Sequence, residues 1–182
     1  KRRALAEPAA FAYLIDVLVE ATVLHLVRQL DAGADAVQIF DSWAGVLSEP
    51  EFRKWVITPS GEIVRRVREA KPGAKIIGFP RGAGPLYIDF ALDTGVDAVS
   101  LDSAVPLAWV AAELQGRVAV QGNLDNTALL VGGDVMREAS ARILDTLGAG
   151  SLIFNLGHGV LPATPPDHVA ELVALVRAWN GS

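Results

Sequence analysis

Five short runs of apolar residues recur along the chain. They are continuous rather than alternating, a pattern typical of parallel strands that other elements cover on both faces. The spacing from one run to the next, about twenty to forty residues, leaves room for a helix in each connection. The predicted strands cover residues 36–40, 75–79, 98–101, 118–121 and 151–155.

The segments outside these runs carry apolar residues at helical spacing. Ser48 and Glu51 are predicted to form a capping box at the start of one helix. Thr164 is predicted to cap the last helix, with Pro165 at its first position and Asp167 in its first turn. The chain therefore reads as a helix followed by five βα units. The other predicted helices cover residues 9–32, 61–70, 85–93, 106–114 and 134–147.

This order of elements fits two α/β architectures. One is an open, doubly wound sheet, and the other is a run of consecutive strands from a (β/α)8 barrel. A complete barrel has about 250 residues, so this chain would supply about the last five βα units of one. The chain begins at Lys1 and its only methionine is Met136, which leads us to expect that residue 1 is an internal point of a longer protein. We expect residues 1–182 to form a single domain.

Composition narrows the class of function. The formal net charge is −5 and no basic stripe is interleaved with aromatic residues, so we expect no nucleic-acid partner. Cysteine is absent, which removes disulfides, thiolate nucleophiles and cysteine-ligated metals. Asp16, Glu20 and Arg28 interrupt the longest apolar segment, so we predict no membrane span. Glu7 and Asp16 also interrupt what would be a signal peptide. We therefore predict a cytoplasmic protein.

A histidine between two glycines follows the last predicted strand, in the sequence Asn-Leu-Gly-His-Gly at residues 155–159. The glycines leave little side-chain bulk around the backbone of His158. A strand, a glycine-flanked polar residue and a helix in that order are typical of a functional loop at the carboxyl end of a parallel strand. The alternative interpretation is an ordinary βα loop with an exposed histidine.

Polar residues also follow the other predicted strands. Because the carboxyl ends of parallel strands meet at one edge, we expect these side chains to share that edge. Acids, an arginine, hydroxyls and an imidazole together suit a polar, carboxylated small molecule. The candidates are Asp41, Ser42, Arg81, Asp102, Ser103, Asn123, Asp125 and His158.

Several of these candidates have structural alternatives. Asp102 and Asp125 are predicted to cap the helices that follow them. Asp41 could equally orient loop amides, and Arg81 could equally be a surface residue of a glycine-rich loop. Ser42 precedes a tight, partly apolar turn, which favours a functional role for a buried hydroxyl there.

The histidines restrict the possible chemistry further. A Ser-His-Asp triad could be written from Ser42, His158 and an acid, but no G-x-S-x-G turn supports it. A metal at His158 would find no second histidine or cysteine in the neighbouring loops. His25 and His168 lie in predicted helices and are interpreted as structural or surface residues.

Three motifs together carry a family resemblance. They are Gly-Ala-Asp-Ala-Val-Gln-Ile-Phe-Asp-Ser-Trp-Ala-Gly at 33–45, Gln-Gly-Asn-Leu-Asp at 121–125, and the histidine motif at 155–159. In this order and spacing the chain resembles the C-terminal half of uroporphyrinogen decarboxylases. The resemblance implies a (β/α)8 barrel and a homodimer. It also implies a cofactor-free carboxy-lyase of haem biosynthesis that removes the four acetate carboxyls of uroporphyrinogen III, giving coproporphyrinogen III. By the same resemblance, Ser42 and His158 bind the substrate and His158 is catalytic.

The resemblance also indicates what this segment does not contain. In the family, the arginines that bind acetates and propionates, the aspartate that holds the pyrrole NH groups and a pocket tyrosine come from earlier strands. Tyr13 and Tyr87 do not lie in a matching motif. We therefore expect the 182 residues alone to have little or no activity. Two departures are Asn126, where proline is common, and Pro80-Arg81, where alanine and lysine are common.

Two alternatives from other classes stay open. Zinc-dependent methyltransferases share this barrel superfamily, but their cysteine and histidine ligands are incompatible with a chain that has no cysteine. The second alternative is a non-catalytic half barrel that self-associates, because unpaired sheet edges invite pairing with another chain.

Overall fold

The computed structural model describes residues 1–180. Parallel strands alternate with helices along the whole of this range, which confirms the predicted α/β class. The chain divides into two compact units, Lys1–Val99 and a second unit that begins at Ser100. The expectation of one domain over residues 1–182 stays a prediction.

The first unit is built on parallel strands in the order β1 (Ala36–Asp41), β2 (Lys75–Pro80) and β3 (Ala98–Ser100). Strand β1 pairs with β2 along its whole length, from Ala36 opposite Lys75 to Asp41 opposite Pro80. The two strands therefore end side by side. The helices are α1 (Arg2–Ala6), α2 (Pro8–Asp31), α3 (Glu49–Phe52), α4 (Thr58–Ala70) and α5 (Tyr87–Thr94), with 3-10 turns at Ala44–Val46 and Gly84–Leu86 and a π-helical turn at Arg53–Ile57.

The core of the first unit lies between β2 and the helices that follow β1 and β2. Ile76 of β2, Val67 of α4 and Tyr87 of α5 are fully buried. Helix α5 approaches β2 closely at Gly78, where a Cβ atom would lie only 2.7 Å from Phe90 Cζ. Glycine at this position therefore lets an aromatic ring pack directly on the strand.

Asp97 ties α4 to the start of β2. Its Oδ2 accepts hydrogen bonds from the Ile76 amide at 2.9 Å and from Arg68 Nη2 at 2.8 Å. Burial acts to raise the pKa of Asp97, but these two bonds and the charges of Arg68 and Lys75 outweigh it and lower the pKa. The ionised carboxylate therefore stabilises the folded unit at neutral pH, and that contribution is lost as pH falls through the lowered pKa.

Helix α2 combines high hydropathy with an exposed apolar face. Its mean hydropathy is 1.8 over an 18-residue window, and 17% of that window is buried. Length and composition alone would let this helix cross a membrane, although core helices of soluble proteins meet the same criterion. The absence of a membrane span therefore stays a prediction. On its other side, α2 packs on α4, where Arg66 Nη2 donates to Glu20 Oε2 at 2.6 Å.

The second unit contains the parallel pair β4 (Ala119–Leu124) and β5 (Leu152–Leu156), in register from Val120 opposite Leu152 to Leu124 opposite Leu156. Leu114, Leu129, Met136 and Leu147 form its fully buried core. Its helices are α6 (Leu107–Trp109), which continues as a π-helical turn at Val110–Leu114, then α7 (Asn126–Val131), α8 (Gly133–Leu147) and α9 (Pro166–Ala178). The periodicity of apolar residues did not delimit α7, although Asp125 was predicted to cap a helix at this point.

Two predicted capping interactions are wrong. Ser48 directly precedes α3, as predicted, but its side chain makes no capping bond. The Glu51 carboxylate, which was predicted to reach back to Ser48, instead accepts a hydrogen bond from Trp55 Nε1 at 2.6 Å. Thr164 does not cap α9, which begins at Pro166 after Pro165. Its hydroxyl is buried and has no hydrogen-bond partner among residues 1–180. Asp167 does lie in the first turn of α9, as predicted.

Candidate active site

In the first unit, polar candidates lie where β1 and β2 end. Ser42 directly follows β1 and is partly exposed, not buried as its position before a tight turn had suggested. Within the described part of the chain, its hydroxyl makes no hydrogen bond. The next residue, Trp43, is 75% exposed, whereas Ala44 beneath the turn is buried. The Ser42 hydroxyl is therefore accessible and available to a ligand.

Asp41 is a partly buried carboxyl beside Ser42. Burial raises its pKa, and hydrogen bonds from the Trp43 and Ala44 backbone amides only partly offset that effect. The Trp43 amide lies 3.2 Å from Oδ1 of Asp41. Asp41 thus orients loop amides, as its structural alternative predicted, and it is also a carboxyl whose ionised form is disfavoured.

The loops that follow β1 and β2 touch through their backbones. The Arg81 amide donates to the Asp41 carbonyl at 3.0 Å, and the Gly45 amide donates to the Arg81 carbonyl at 2.9 Å. A Cβ atom on Gly45 would lie 2.7 Å from the carbonyl carbon of Gly82. Glycine at position 45 therefore lets the loops of Ser42 and Arg81 lie in direct contact.

An aromatic surface adjoins these loops, which the sequence analysis did not identify. Phe40 of β1 is 68% exposed, and its ring meets Phe79 of β2 edge to face, with centroids 6.1 Å apart. Phe79 itself is buried. The signal in the sequence was a phenylalanine directly before Asp41 and Ser42. An exposed ring here offers apolar area to a flat ligand.

In the second unit, the loop of His158 is held at both ends. The Gly157 amide donates to the Leu124 carbonyl at 2.7 Å, and Asn126 Nδ2 donates to the Gly159 carbonyl at 2.8 Å. A Cβ atom on Gly157 would lie 2.9 Å from the Cα atom of Ser103. The His158 side chain is exposed, and among residues 1–180 its ring has no hydrogen-bond partner. The backbone is thus anchored while the imidazole is left available.

Asn123, Asp102 and Asp125 organise the loops around His158. The buried amide of Asn123 donates to the Asp102 carbonyl at 2.9 Å and to the Val105 carbonyl at 3.0 Å. Asp125 caps α7 by accepting a hydrogen bond from the Thr127 amide at 2.8 Å, as predicted. Asp102 does not cap a helix. It accepts from the Ala104 amide at 3.0 Å, within the loop that precedes α6.

The other two histidines have structural partners. His25 lies 2.8 Å from Gln29 Nε2 on α2, and His168 Nδ1 lies 3.0 Å from the Leu129 carbonyl. These contacts agree with their interpretation as structural or surface residues. Within the part of the chain that the structure describes, no group of three or more histidine, cysteine or acidic side chains is arranged to hold a metal ion.

The fold and these loops define an α/β protein of the barrel class with polar residues at the carboxyl ends of its strands. A solved methyltransferase from Methanosarcina mazei resembles the chain with a TM-score of 0.79, over 96% of this chain and 51% of that protein, at 20% identity. That likeness concerns the fold alone, and it confirms the (β/α)8-type prediction.

The family follows from sequence comparison. The model of the family "Uroporphyrinogen decarboxylase (URO-D)" matches residues 1–179, so the chain belongs to this family. A uroporphyrinogen decarboxylase of Rhodospirillum rubrum is 57% identical over 94% of this chain and 49% of its own length. One from Erythrobacter litoralis is 47% identical over 97% of this chain and 52% of its own length. The chain therefore spans about half the length of the curated relatives it matches.

We expect the close approach at Gly157 to be essential for the loop of His158. Gly157→Ala would force a Cβ atom against the Ser103 backbone and should lower the free energy of unfolding by about 1–3 kcal/mol. Gly159→Ala is the matched control, because nothing lies within 4 Å of a Cβ atom there. Urea unfolding of the three proteins measures the difference, and equal stability of the two variants would contradict the close contact.

Ionisation of Asp41 should destabilise the fold, unlike ionisation of a carboxylate whose pKa is lowered. Because its folded pKa is raised, its contribution to stability is lost as pH rises through that pKa. Asp41→Asn keeps an oxygen that can accept from the loop amides and removes the charge. We expect the variant to be more stable than the parent chain at pH 7, with the difference shrinking toward pH 4. Urea midpoints across that range test this, and a variant that is less stable at pH 7 would contradict it.

Proposed function

We propose that this chain is part of an enzyme that decarboxylates uroporphyrinogen III to coproporphyrinogen III. The observation that carries the proposal is that Ser42 and His158, in a chain of this family, have accessible side chains without a protein partner among residues 1–180. Both follow strands, in motifs characteristic of the family.

The reaction is within the reach of ordinary protein groups. An electron-rich pyrrole accepts a proton at a ring carbon, and the resulting cation draws the electron pair of the C–CO2 bond as carbon dioxide leaves, which gives an exocyclic methylene. That methylene then takes up a proton to become the methyl group, and the ring carbon returns its proton. In the net change, a C–H bond replaces the C–CO2 bond of each acetate and one proton is consumed. A positioned acid and electrostatic stabilisation of the cation supply the catalysis, so no cofactor is required.

Within this scheme the two residues have different roles. His158 protonates the reacting side chain or binds its carboxylate, because an imidazole changes charge near neutral pH. Ser42 donates a hydrogen bond from its hydroxyl to a substrate carboxylate. The exposed ring of Phe40 beside Ser42 offers a surface to the flat pyrroles.

The proposal also covers the location, oligomeric state and partners of the complete enzyme. The complete enzyme is a cytoplasmic homodimer that binds a porphyrinogen, without a nucleic-acid or membrane partner. The net charge of −5 disfavours nucleic acid. The exposed apolar residues of α2, which include Tyr13 and Leu18, form a surface that further protein could cover.

Replacing His158 tests the proposed chemistry. The experiment uses the R. rubrum relative with its matching segment replaced by this chain, hereafter the chimera. We expect His158→Asn to lower kcat/KM for uroporphyrinogen III by about 10- to 100-fold and to change its pH profile. His25→Asn is the control, since that histidine contacts Gln29 on α2, and it should leave both unchanged. Unaltered kinetics of the His158 variant at every pH would contradict the proposed role.

A further inference from the structure

Arg81 differs from the other arginines that are partly buried. Among residues 1–180 three arginines are of intermediate exposure: Arg66, Arg68 and Arg81. Arg66 pairs with Glu20 at 2.6 Å and Arg68 pairs with Asp97 at 2.8 Å. The Arg81 guanidinium has no ion pair or hydrogen bond within the described residues. Partial desolvation of a permanent cation without a partner carries a cost, and an anionic ligand would remove that cost.

The backbone of Arg81 is held against the loop of Ser42. Its amide donates to Asp41 and its carbonyl accepts from Gly45, at 3.0 and 2.9 Å. The glycine contact between residues 45 and 82 leaves no space for one loop to move toward the other. The side chains of Ser42 and Arg81 therefore start from neighbouring, anchored positions at the ends of β1 and β2.

Asp41 forms no ion pair with Arg81. Its carboxyl instead accepts from the Trp43 amide. Asp41 is moreover a group whose ionised form burial disfavours. The position therefore combines a guanidinium, an available hydroxyl and an exposed aromatic ring, and no carboxylate among residues 1–180 pairs with the guanidinium.

We propose that Arg81 is a further substrate-binding residue, whose guanidinium binds a carboxylate of the porphyrinogen beside Ser42. The inference rests on the proposed function. A guanidinium holds a carboxylate through two parallel N–H···O bonds, a geometry that a lysine cannot reproduce. The carboxylate belongs either to an acetate that the reaction removes or to a propionate that the product retains.

The test is Arg81→Gln in the chimera, with Arg81→Lys as the conservative variant. We expect Arg81→Gln to raise KM for uroporphyrinogen III by about tenfold while kcat changes by less than about threefold, and Arg81→Lys to recover part of the loss. Arg28→Gln is the matched control, because Arg28 is exposed on α2 and also lacks a partner among the described residues. It should leave KM unchanged. Urea midpoints equal to that of the parent chimera would show that a change in KM reflects substrate binding and not loss of folded protein.

Inhibition by coproporphyrinogen III distinguishes the two sources of carboxylate. If Arg81→Gln weakens inhibition as much as it raises KM, the ligand is a propionate. If inhibition is unchanged while KM rises, the ligand is an acetate. An unchanged KM in Arg81→Gln, or an equal rise in Arg28→Gln, would overturn the proposal.

Failure of the proposed function would be visible separately. A folded chimera with Arg81 intact that does not decarboxylate would contradict that function. The Arg81 proposal would then be decided by fluorescence titration with uroporphyrin III, a stable compound that carries the same eight carboxylates. Binding weakened about tenfold by Arg81→Gln, and not by Arg28→Gln, would support a carboxylate site. Equal affinity of the two variants would overturn it.

Discussion

The arrangement of the candidate site depends on close backbone contacts at glycines. In the first unit, Gly45 lets the loop that carries Ser42 lie against the loop that carries Arg81. In the second unit, Gly157 brings the loop of His158 onto the backbone at Ser103. A parallel sheet places strand ends at one edge, and these contacts, together with the hydrogen bonds beside them, hold the loops in position. Precisely placed loops are what the proposed decarboxylation requires.

The same loops leave their polar side chains without protein partners. Buried polar groups elsewhere in the described residues are mostly paired; the amide of Asn123, for example, bonds two carbonyls. By contrast, Ser42, Arg81 and His158 lie in loops that are anchored by backbone hydrogen bonds of Asp41, Gly45, Arg81 and Gly157, and their own side chains have no partner among the described residues. Asp41 adds a carboxyl whose ionisation burial disfavours. Available polar side chains and a carboxyl whose ionised form is disfavoured are typical of functional sites, where stability is given up for binding.

Much of this could be predicted from sequence, and the errors have physical causes. Continuous apolar runs identified the five strands, because such runs are typical of parallel strands. In this structure β1 and β5 nevertheless expose residues, among them Phe40 and Ile153. The capping box at Ser48 was wrong because the indole of Trp55, one helical turn after Glu51, takes the Glu51 carboxylate. The exposure of Phe40 could not be read from its hydrophobicity. The lack of an ion pair at Arg81 among the described residues could not be predicted either, because ion pairs depend on residues that are distant in sequence.

Decarboxylation of uroporphyrinogen III, assayed without oxygen, tests the central claim most directly. The assay compares the chimera, the unaltered R. rubrum enzyme and the 182-residue chain alone. We expect the chimera to release carbon dioxide at a rate comparable with the R. rubrum enzyme, and the chain alone to release little or none, because a cation stabiliser from elsewhere in the enzyme is worth several kcal/mol of barrier. A folded chimera without activity would contradict the assignment of Ser42 and His158 to this chemistry.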